Sequence, residues 1–291
     1  MSKLKSKFST AKGKYFPLVK SLQTGLLLIT GLAGYMSARC PALNLPTVLG
    51  LTASLLLSIS GSTALNMWYD RDIDAKMPRT SQRPLSTGET SPREALIFGL
   101  VLSVIGISWA FIVDPFYGSV VFAGLFFDVV VYTIWLKRRT AWSIIWGGIS
   151  GGMPILAGRV LGTGQIDWVG IALALGVLFW IPTHILTFSI RYHEDYQKAN
   201  VPTFPSTYSF QTTRLIIAIS SVFAALTLGL ASYGVGLTWG FLRLLVVLSV
   251  GLLILAVQSL RSPSERITFG LFKYASLYML SAMLLMFFTG I

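Results

Sequence analysis

Apolar stretches as long as a membrane-spanning helix recur along this chain, and they limit its fold more than any other feature. An α-helix needs roughly 20 apolar residues to cross the ~30 Å hydrocarbon core of a bilayer. Hydrophobic residues make up 54% of the 291 residues and charged residues only 12%, a balance that a water-soluble fold could not bury. Because lipid offers the backbone no hydrogen-bonding partners, each stretch predicts an α-helix. The sequence therefore predicts an all-α, polytopic membrane protein.

Proline, glycine and polar residues divide the apolar sequence into nine predicted spans. The shortest division is the pair Asp114-Pro115, between the third and fourth spans. The spans are centred on residues 22–38, 47–68, 95–113, 116–136, 142–162, 168–190, 215–233, 239–258 and 269–291. A basic tail, residues 1–21, precedes them, so residues 22–291 form a predicted nine-helix transmembrane domain.

Basic residues are distributed very unevenly between the two sides of the membrane. If alternate loops face opposite sides, all but three of the 23 Lys and Arg residues fall on one side, the exceptions being Arg39, Arg159 and Arg243. Because Lys and Arg favour cytoplasmic loops, the N-terminal tail is predicted to be cytoplasmic and the C-terminus outside, in a membrane that we expect to be a prokaryotic cell membrane. Topology and anionic membrane lipid then account for the net charge of +12, and nucleic acid is not an expected partner.

Acidic residues are scarce, and five of the 11 fall into two groups on the predicted cytoplasmic side. The first group follows the second span. If that helix continues, Asn66, Asp70 and Asp74 recur every four residues and share one face, while Asp72 points the opposite way. Stacked carboxylates repel one another unless a cation lies between them, and oxygen ligands select a hard ion such as Mg²⁺. Guanidinium groups that suit an anion such as diphosphate follow at Arg71, Arg79 and Arg83.

The second acidic group is the pair Glu194 and Asp195, at the cytoplasmic end of the sixth span, with Arg191 and Lys198 nearby. One such group alone could be a solvated loop whose charges simply balance one another. Two groups at the same membrane face, far apart along the chain, could instead converge across a helix bundle. Convergence of the two acidic groups predicts a site that holds metal and diphosphate between the groups.

These motifs resemble those of the UbiA-type intramembrane prenyltransferases. The signature N-x-x-x-D-x-x-x-D followed by R-P-[IL]-x-x-G is matched by Asn66, Asp70 and Asp74, and then by the segment from Arg83 to Gly88. The strings NMWYDRDID, YTIWLKRRT, WGGISGGMP and HEDY resemble the branch of that family that farnesylates protoheme IX. The second acidic signature departs from the D-x-x-x-D that many members carry, because Glu194 and Asp195 are adjacent here.

The resemblance implies a reaction in which farnesyl diphosphate ionises with the help of Mg²⁺ and a vinyl group of heme B captures the allylic carbon. Heme B is then a substrate rather than a cofactor, and enzymes that hand over heme are expected partners. The implied catalytic residues are Asp70, Asp74 and Asp195. The implied metal ligands are Asn66, Asp70, Asp74, Glu194 and Asp195, and the implied substrate-binding residues are Asn66, Arg83, Lys137, Arg138 and His184.

Two questions stay open at the level of sequence. His184 lies inside the sixth span, where a polar residue usually faces a cavity, so it either lines the substrate pocket or bonds to a neighbouring helix. The activity has two alternatives: a sister prenyltransferase acting on a quinone precursor or a glycerol lipid ether, and a transporter with an acidic ion site. Acidic residues at one interface, rather than near the midplane, disfavour the transporter.

Overall fold

The computed structural model describes residues 15–39 and 44–289, and within them every regular element is helical. Short helices at Pro84–Thr87, His193–Lys198 and Phe204–Thr207 lie in the connections, and a 3₁₀ turn at Phe16–Val19 precedes the first long helix. The long helices are α1 (Ser21–Met36), α2 (Leu45–Asp74), α3 (Pro92–Val113), α4 (Pro115–Leu136), α5 (Ser143–Thr163), α6 (Trp168–Arg191), α7 (Phe210–Val235), α8 (Trp239–Arg261) and α9 (Glu265–Thr289).

Length and composition make α2 to α9 candidate membrane spans, eight helices within the described ranges. The helix α1 has 16 residues and ends at Met36 rather than continuing to Ala38 as predicted. At ~1.5 Å per residue it is about 24 Å long. It nevertheless packs inside the bundle, because a Cβ atom on Gly34 would collide with the carbonyl group of Ile155 in α5. The predicted all-α membrane fold is confirmed for the described residues, with α1 as a shorter member.

The helix α2 is the longest of these elements, with 30 residues. Asn44 begins it by accepting a hydrogen bond from the amide of Thr47. At ~1.5 Å per residue the helix is about 45 Å long, so its last turns extend beyond a ~30 Å hydrocarbon core. A Cβ atom on Gly61 would collide with Ser103, so α2 and α3 approach closely. This packing holds residues 66–74 firmly at one end of the bundle.

The helix α4 changes its winding midway. Asp114 separates it from α3 as predicted, and its carboxylate accepts a hydrogen bond of 2.7 Å from the amide of Tyr117. From Phe126 to Leu136 the helix is a π-helix, and the amide of Lys137 donates to the carbonyl of Tyr132 at 2.8 Å. Because a π-helix has more residues per turn than an α-helix, this segment presents a different set of side chains to α2.

Candidate functional site

The C-terminal part of α2 carries the first acidic group on a continuous helix, as the four-residue spacing predicted. Asp70 and Asp74 are only 4% and 5% exposed. The side chain of Asp72 is 54% exposed and points the other way. Asp70 and Asp74 therefore share one face of the helix and Asp72 lies on the other, as the spacing predicted, and the structure adds that the shared face is buried.

Cations from two connections meet the buried carboxylates. Lys137, at the end of α4, forms an ion pair with Oδ2 of Asp70, and Nη1 of Arg83 lies 2.5 Å from Oδ2 of Asp74. Arg138 donates to both carboxylate oxygens of Asp72 at 2.6 and 2.8 Å, and its Nη2 lies 3.9 Å from Oδ1 of Asp70. Arg83, Lys137 and Arg138, the cations that the family resemblance assigns to diphosphate, thus each lie within 4 Å of Asp70 or Asp74.

The charge of Lys137 is stabilised by its surroundings. Burial by itself lowers the pKa of this ammonium group, but Tyr132 and the Asp70 carboxylate beside it raise the pKa above its ordinary value. The side chain of Asp70 is 5% exposed and that of Lys137 is 21% exposed, so water screens the pair only weakly. Lys137 is therefore a permanent cation at neutral pH, held in place before any anion arrives.

A tight turn presents Arg83 to Asp74. The hydroxyl of Thr80 donates to the carbonyl of Asp74 at 2.8 Å, which folds the chain back after α2 ends. Arg83 then caps the helix Pro84–Thr87, and Gly88 ends that helix with φ +82°, a conformation that glycine adopts at little cost. The residues of the R-P-L-x-x-G string therefore share one structural role, which is to direct the guanidinium group back onto α2.

Asp70 retains an oxygen that suits a metal ion. Its Oδ1 is buried and has no hydrogen-bond partner among the described residues. An unsatisfied buried acceptor is costly, and a hard cation would satisfy it. No three His, Cys, Asp or Glu side chains in the described ranges are grouped closely enough to hold a metal ion by themselves. The residues therefore fit Mg²⁺ in its common arrangement, with one or two carboxylates and the remaining ligands from a phosphate group and water.

Asp128, in the π-helical part of α4, is a site residue that was not predicted from the sequence. Its Oδ2 accepts hydrogen bonds from the amide nitrogen of Asn66, at 2.9 Å, and from the hydroxyl of Ser62. Thr133 donates to Oδ1 of Asn66 at 2.8 Å, so both ends of the Asn66 amide are fixed. The available signal was an acidic residue inside an apolar span, which by default indicates a functional position. Asp128 orients Asn66, whose Oδ1 keeps one lone pair for another partner.

The second acidic group lies at the same end of the bundle. Tyr196, from the helix His193–Lys198, packs against a buried cluster that includes Ile73 of α2. Glu194 is exposed and Asp195 is half-buried, and neither forms an ion pair within the described residues. Their proposed role as metal ligands stays a prediction.

His184 occupies an aromatic stack between α6 and α9. Its ring lies between Trp180 and Phe272, with centroid distances of 4.9 and 4.5 Å. Oγ of Ser276 in α9 is 3.2 Å from its Nδ1, which is the bond to a neighbouring helix that the sequence left as one alternative. Its role in a substrate pocket stays a prediction.

A small cleft lies near this stack, between the C-terminal end of α6 and the N-terminal part of α9. Phe188 and Tyr192 are among its lining residues, and Arg79 lies over both rings, 4.8 and 5.6 Å from their centroids. Arg71 donates to the carbonyl of Trp68 at 2.6 Å. Arg71 and Arg79 therefore contact other groups. Of the three arginines that follow the first acidic group, Arg83 is the one that contacts a buried carboxylate in the described structure.

The architecture and the site together define an integral membrane protein that holds paired carboxylates and fixed cations at one end of a helical bundle. A sequence model of the UbiA prenyltransferase family matches residues 27–285. The chain belongs to that family, which confirms the resemblance inferred from its motifs.

Similar proteins of known sequence agree with this membership. A protoheme IX farnesyltransferase of Korarchaeum cryptofilum is 41% identical over 260 residues, covering 89% of this chain and 87% of the relative. One of Archaeoglobus fulgidus is 43% identical over 239 residues, covering 79% and 81%.

Solved structures share the fold at low sequence identity. A digeranylgeranylglyceryl phosphate synthase structure superposes with a TM-score of 0.80 at 18% identity, covering 100% of this chain and 99% of the other. A UbiA homolog from Archaeoglobus fulgidus bound to GPP and Mg²⁺ has a TM-score of 0.72 at 16% identity, covering 94% and 99%. At these identities the likeness shows the fold alone.

Proposed function

We propose that this protein transfers a farnesyl group from farnesyl diphosphate to a vinyl group of protoheme IX, giving heme O. The observation that carries the proposal is the buried pair Asp70 and Asp74, held between Lys137, Arg83 and Arg138. The choice of heme as acceptor is supported by the relatives named protoheme IX farnesyltransferase, which are aligned over most of their length.

The cations are the part of the site that recognises diphosphate. Lys137 supplies a point charge, and Arg83 and Arg138 supply planar donors that match phosphate oxygens. In the structure Lys137 and Arg83 are paired with Asp70 and Asp74 and are already oriented toward the buried face of α2. Arg138 is held by Asp72, and its Nη2 reaches to 3.9 Å from Oδ1 of Asp70. Asp70 and Asp74, with Oδ1 of Asn66, are the residues that would hold Mg²⁺. When bound, Mg²⁺ supplies positive charge that stabilises the departing diphosphate.

The reaction needs electrostatic stabilisation rather than a protein nucleophile. The bond between the allylic carbon and the diphosphate oxygen breaks, and its electron pair leaves with the diphosphate. The π electrons of the heme vinyl group form the new carbon–carbon bond, and water adds to the resulting cation and releases a proton. Lys137, Arg83 and Arg138 lie where negative charge develops, and such fixed groups are worth most in a site with little water.

Two further assignments belong to the same proposal. Asp195, assisted by Glu194, would hold metal at the same diphosphate, because Tyr196 in the same short helix packs against the cluster that includes Ile73 of α2. His184 would line the pocket for the porphyrin, through the edge of its ring that Ser276 leaves free.

An acceptor competition tests the function. The purified protein in lipid nanodiscs would receive farnesyl diphosphate, Mg²⁺ and equal amounts of heme B, a quinone precursor and a glycerol lipid ether, with products read by mass spectrometry. We expect the hydroxyethylfarnesyl derivative of heme B as the main product. Prenylation of another acceptor in place of heme would contradict the proposed substrate, and the absence of any prenylated product would contradict the activity.

The orientation is also a proposal, with the carboxylates at the cytoplasmic face and the C-terminus outside. Arg139 and Gln165 are exposed residues in successive connections, α4 to α5 and α5 to α6. In a Cys40→Ser background, a membrane-impermeant maleimide applied to intact cells should label Gln165→Cys and not Arg139→Cys. The opposite pattern would contradict the predicted topology.

A further inference from the structure

Lys20 has an unusual backbone conformation next to the site. It joins the 3₁₀ turn Phe16–Val19 to α1, with φ 48° and ψ 59°. This left-handed region is uncommon for a residue other than glycine. The amide of Lys20 donates to the carbonyl of Pro17 at 3.4 Å, and the hydroxyl of Thr24 donates to the carbonyl of Val19 at 2.6 Å. The surrounding structure therefore holds Lys20 in this conformation.

The segment before Lys20 is docked on α2. Oγ1 of Thr63 lies within hydrogen-bond distance of the carbonyl oxygens of Leu18 and Val19, at 3.1 and 3.2 Å. Leu18 is fully buried in a cluster that includes Met67 of α2. Thr63 precedes Asp70 by seven residues, which is two helical turns or about 10 Å along the same face. A lysine side chain that starts at this level can extend along that face toward the carboxylates.

Lys20 has no ion-pair partner of its own among the described residues, because Asp74 pairs with Arg83 and Asp70 pairs with Lys137. The groups that act on its ammonium are Arg83, Lys137, Asp70 and Asp128. Burial, followed by the repulsion from Arg83 and Lys137, lowers the pKa of Lys20 to about 8. No carboxylate in the described part of the chain forms an ion pair with Lys20. A half-buried ammonium group that lies near other cations and has no carboxylate partner is stabilised by an anion that joins them.

We propose that Lys20 is a further diphosphate-binding residue, which approaches from the N-terminal side of α1 and contacts the same anion as Arg83 and Lys137. The inference rests on the proposed function and adds one group to its binding site. In the sequence, Lys20 is one of the basic residues of the N-terminal tail, whose positive charge predicts the membrane orientation. Its docking on the carboxylate face of α2 gives it a specific role instead.

Binding of inorganic diphosphate in the presence of Mg²⁺, measured by calorimetry on the detergent-purified protein, tests this role. Lys20→Ala should weaken binding by about 10- to 100-fold, the range expected when a charged group loses its partner. Lys20→Arg should restore binding to within about threefold, because it keeps the charge. Lys76→Ala is the matched control, since Lys76 is exposed near the same end of α2, and it should bind diphosphate as the wild type does.

Lys20→Gly separates charge from backbone conformation. Glycine adopts φ 48° easily, so this variant should keep the fold and still lose diphosphate affinity as Lys20→Ala does. Wild-type affinity in both Lys20→Ala and Lys20→Gly would overturn the inference. A wild-type protein that farnesylates no heme, with Lys20→Ala still weakening diphosphate binding, would contradict the acceptor while supporting Lys20.

Discussion

The two acidic segments of this protein have similar composition and very different structural support. On α2, Asp70 and Asp74 are buried on a 30-residue helix and paired with Lys137 and Arg83. After α6, Glu194 and Asp195 lie on a six-residue helix, one exposed and one half-buried, without ion pairs among the described residues. The first segment is organised by ion pairs within the protein, whereas the second has none among the described residues. We therefore expect substitutions on the buried face of α2 to lower both stability and turnover, and substitutions after α6 to lower turnover alone.

Removing Lys137 should have the largest combined effect. Lys137→Ala leaves the buried carboxylate of Asp70 without its partner, and breaking a buried ion pair in this way costs about 3 to 5 kcal/mol. Turnover should also fall by roughly 100-fold or more, as when one preorganised charge is removed from an active site. Thermal unfolding of the ligand-free protein and single-turnover kinetics would measure the two effects. An unchanged melting temperature would show that the pair does not support the fold.

Asp195 offers the sharpest contrast with α2. Because its carboxylate forms no ion pair in the described structure, Asp195→Asn should change the free energy of unfolding by no more than about 0.5 kcal/mol. Its turnover should still fall by roughly 10- to 100-fold if it meets metal and diphosphate. Glu194→Gln, at the exposed neighbour that only assists Asp195, should lose less turnover, by about tenfold or less. Equal losses in the two variants would contradict the assignment of Asp195 as the principal ligand.

Asp128 should have the smallest of these effects, because it acts by orienting Asn66. Asp128→Asn keeps the shape but weakens the acceptor for Asn66 and Ser62, and loss of an outer-shell partner typically reduces metal affinity by about 10-fold or more. The Mg²⁺ concentration needed for half-maximal turnover should rise, while KM for heme B should not change. A shift in KM for heme B alone would indicate that Asp128 lines the acceptor site instead.

The sequence predicted the acidic face of α2 because a regular helix repeats every four residues. Asn66, Asp70 and Asp74 follow that repeat, and Asp72 falls outside it. The contacts of α4 could not be predicted in the same way. Asp128 and Lys137 are nine residues apart, which in a helix of ~3.6 residues per turn puts them on opposite sides. Both contact α2 because this part of α4 is a π-helix, a change of winding that composition does not reveal.

Tertiary docking explains the remaining differences between prediction and structure. Lys20 is one lysine of a basic tail until Leu18 and Thr63 fix the preceding turn on α2. His184 left two alternatives because a polar residue in a span can face a cavity or a neighbouring helix, and only the fold places Ser276 beside it. Such contacts join residues that are far apart along the chain, so no local pattern encodes them.

The carboxylates on the buried face of α2, and not the one on its solvated face, are expected to act in the reaction. Asp70→Asn and Asp72→Asn make the same chemical change two residues apart on opposite faces, so their heme-farnesylation rates, measured at matched folded protein, test this expectation most directly. We expect a loss of at least about 100-fold for Asp70→Asn and of about tenfold or less for Asp72→Asn, because Asp72 acts only by holding Arg138. Equal rates in the two variants, or a greater loss at Asp72, would contradict this expectation.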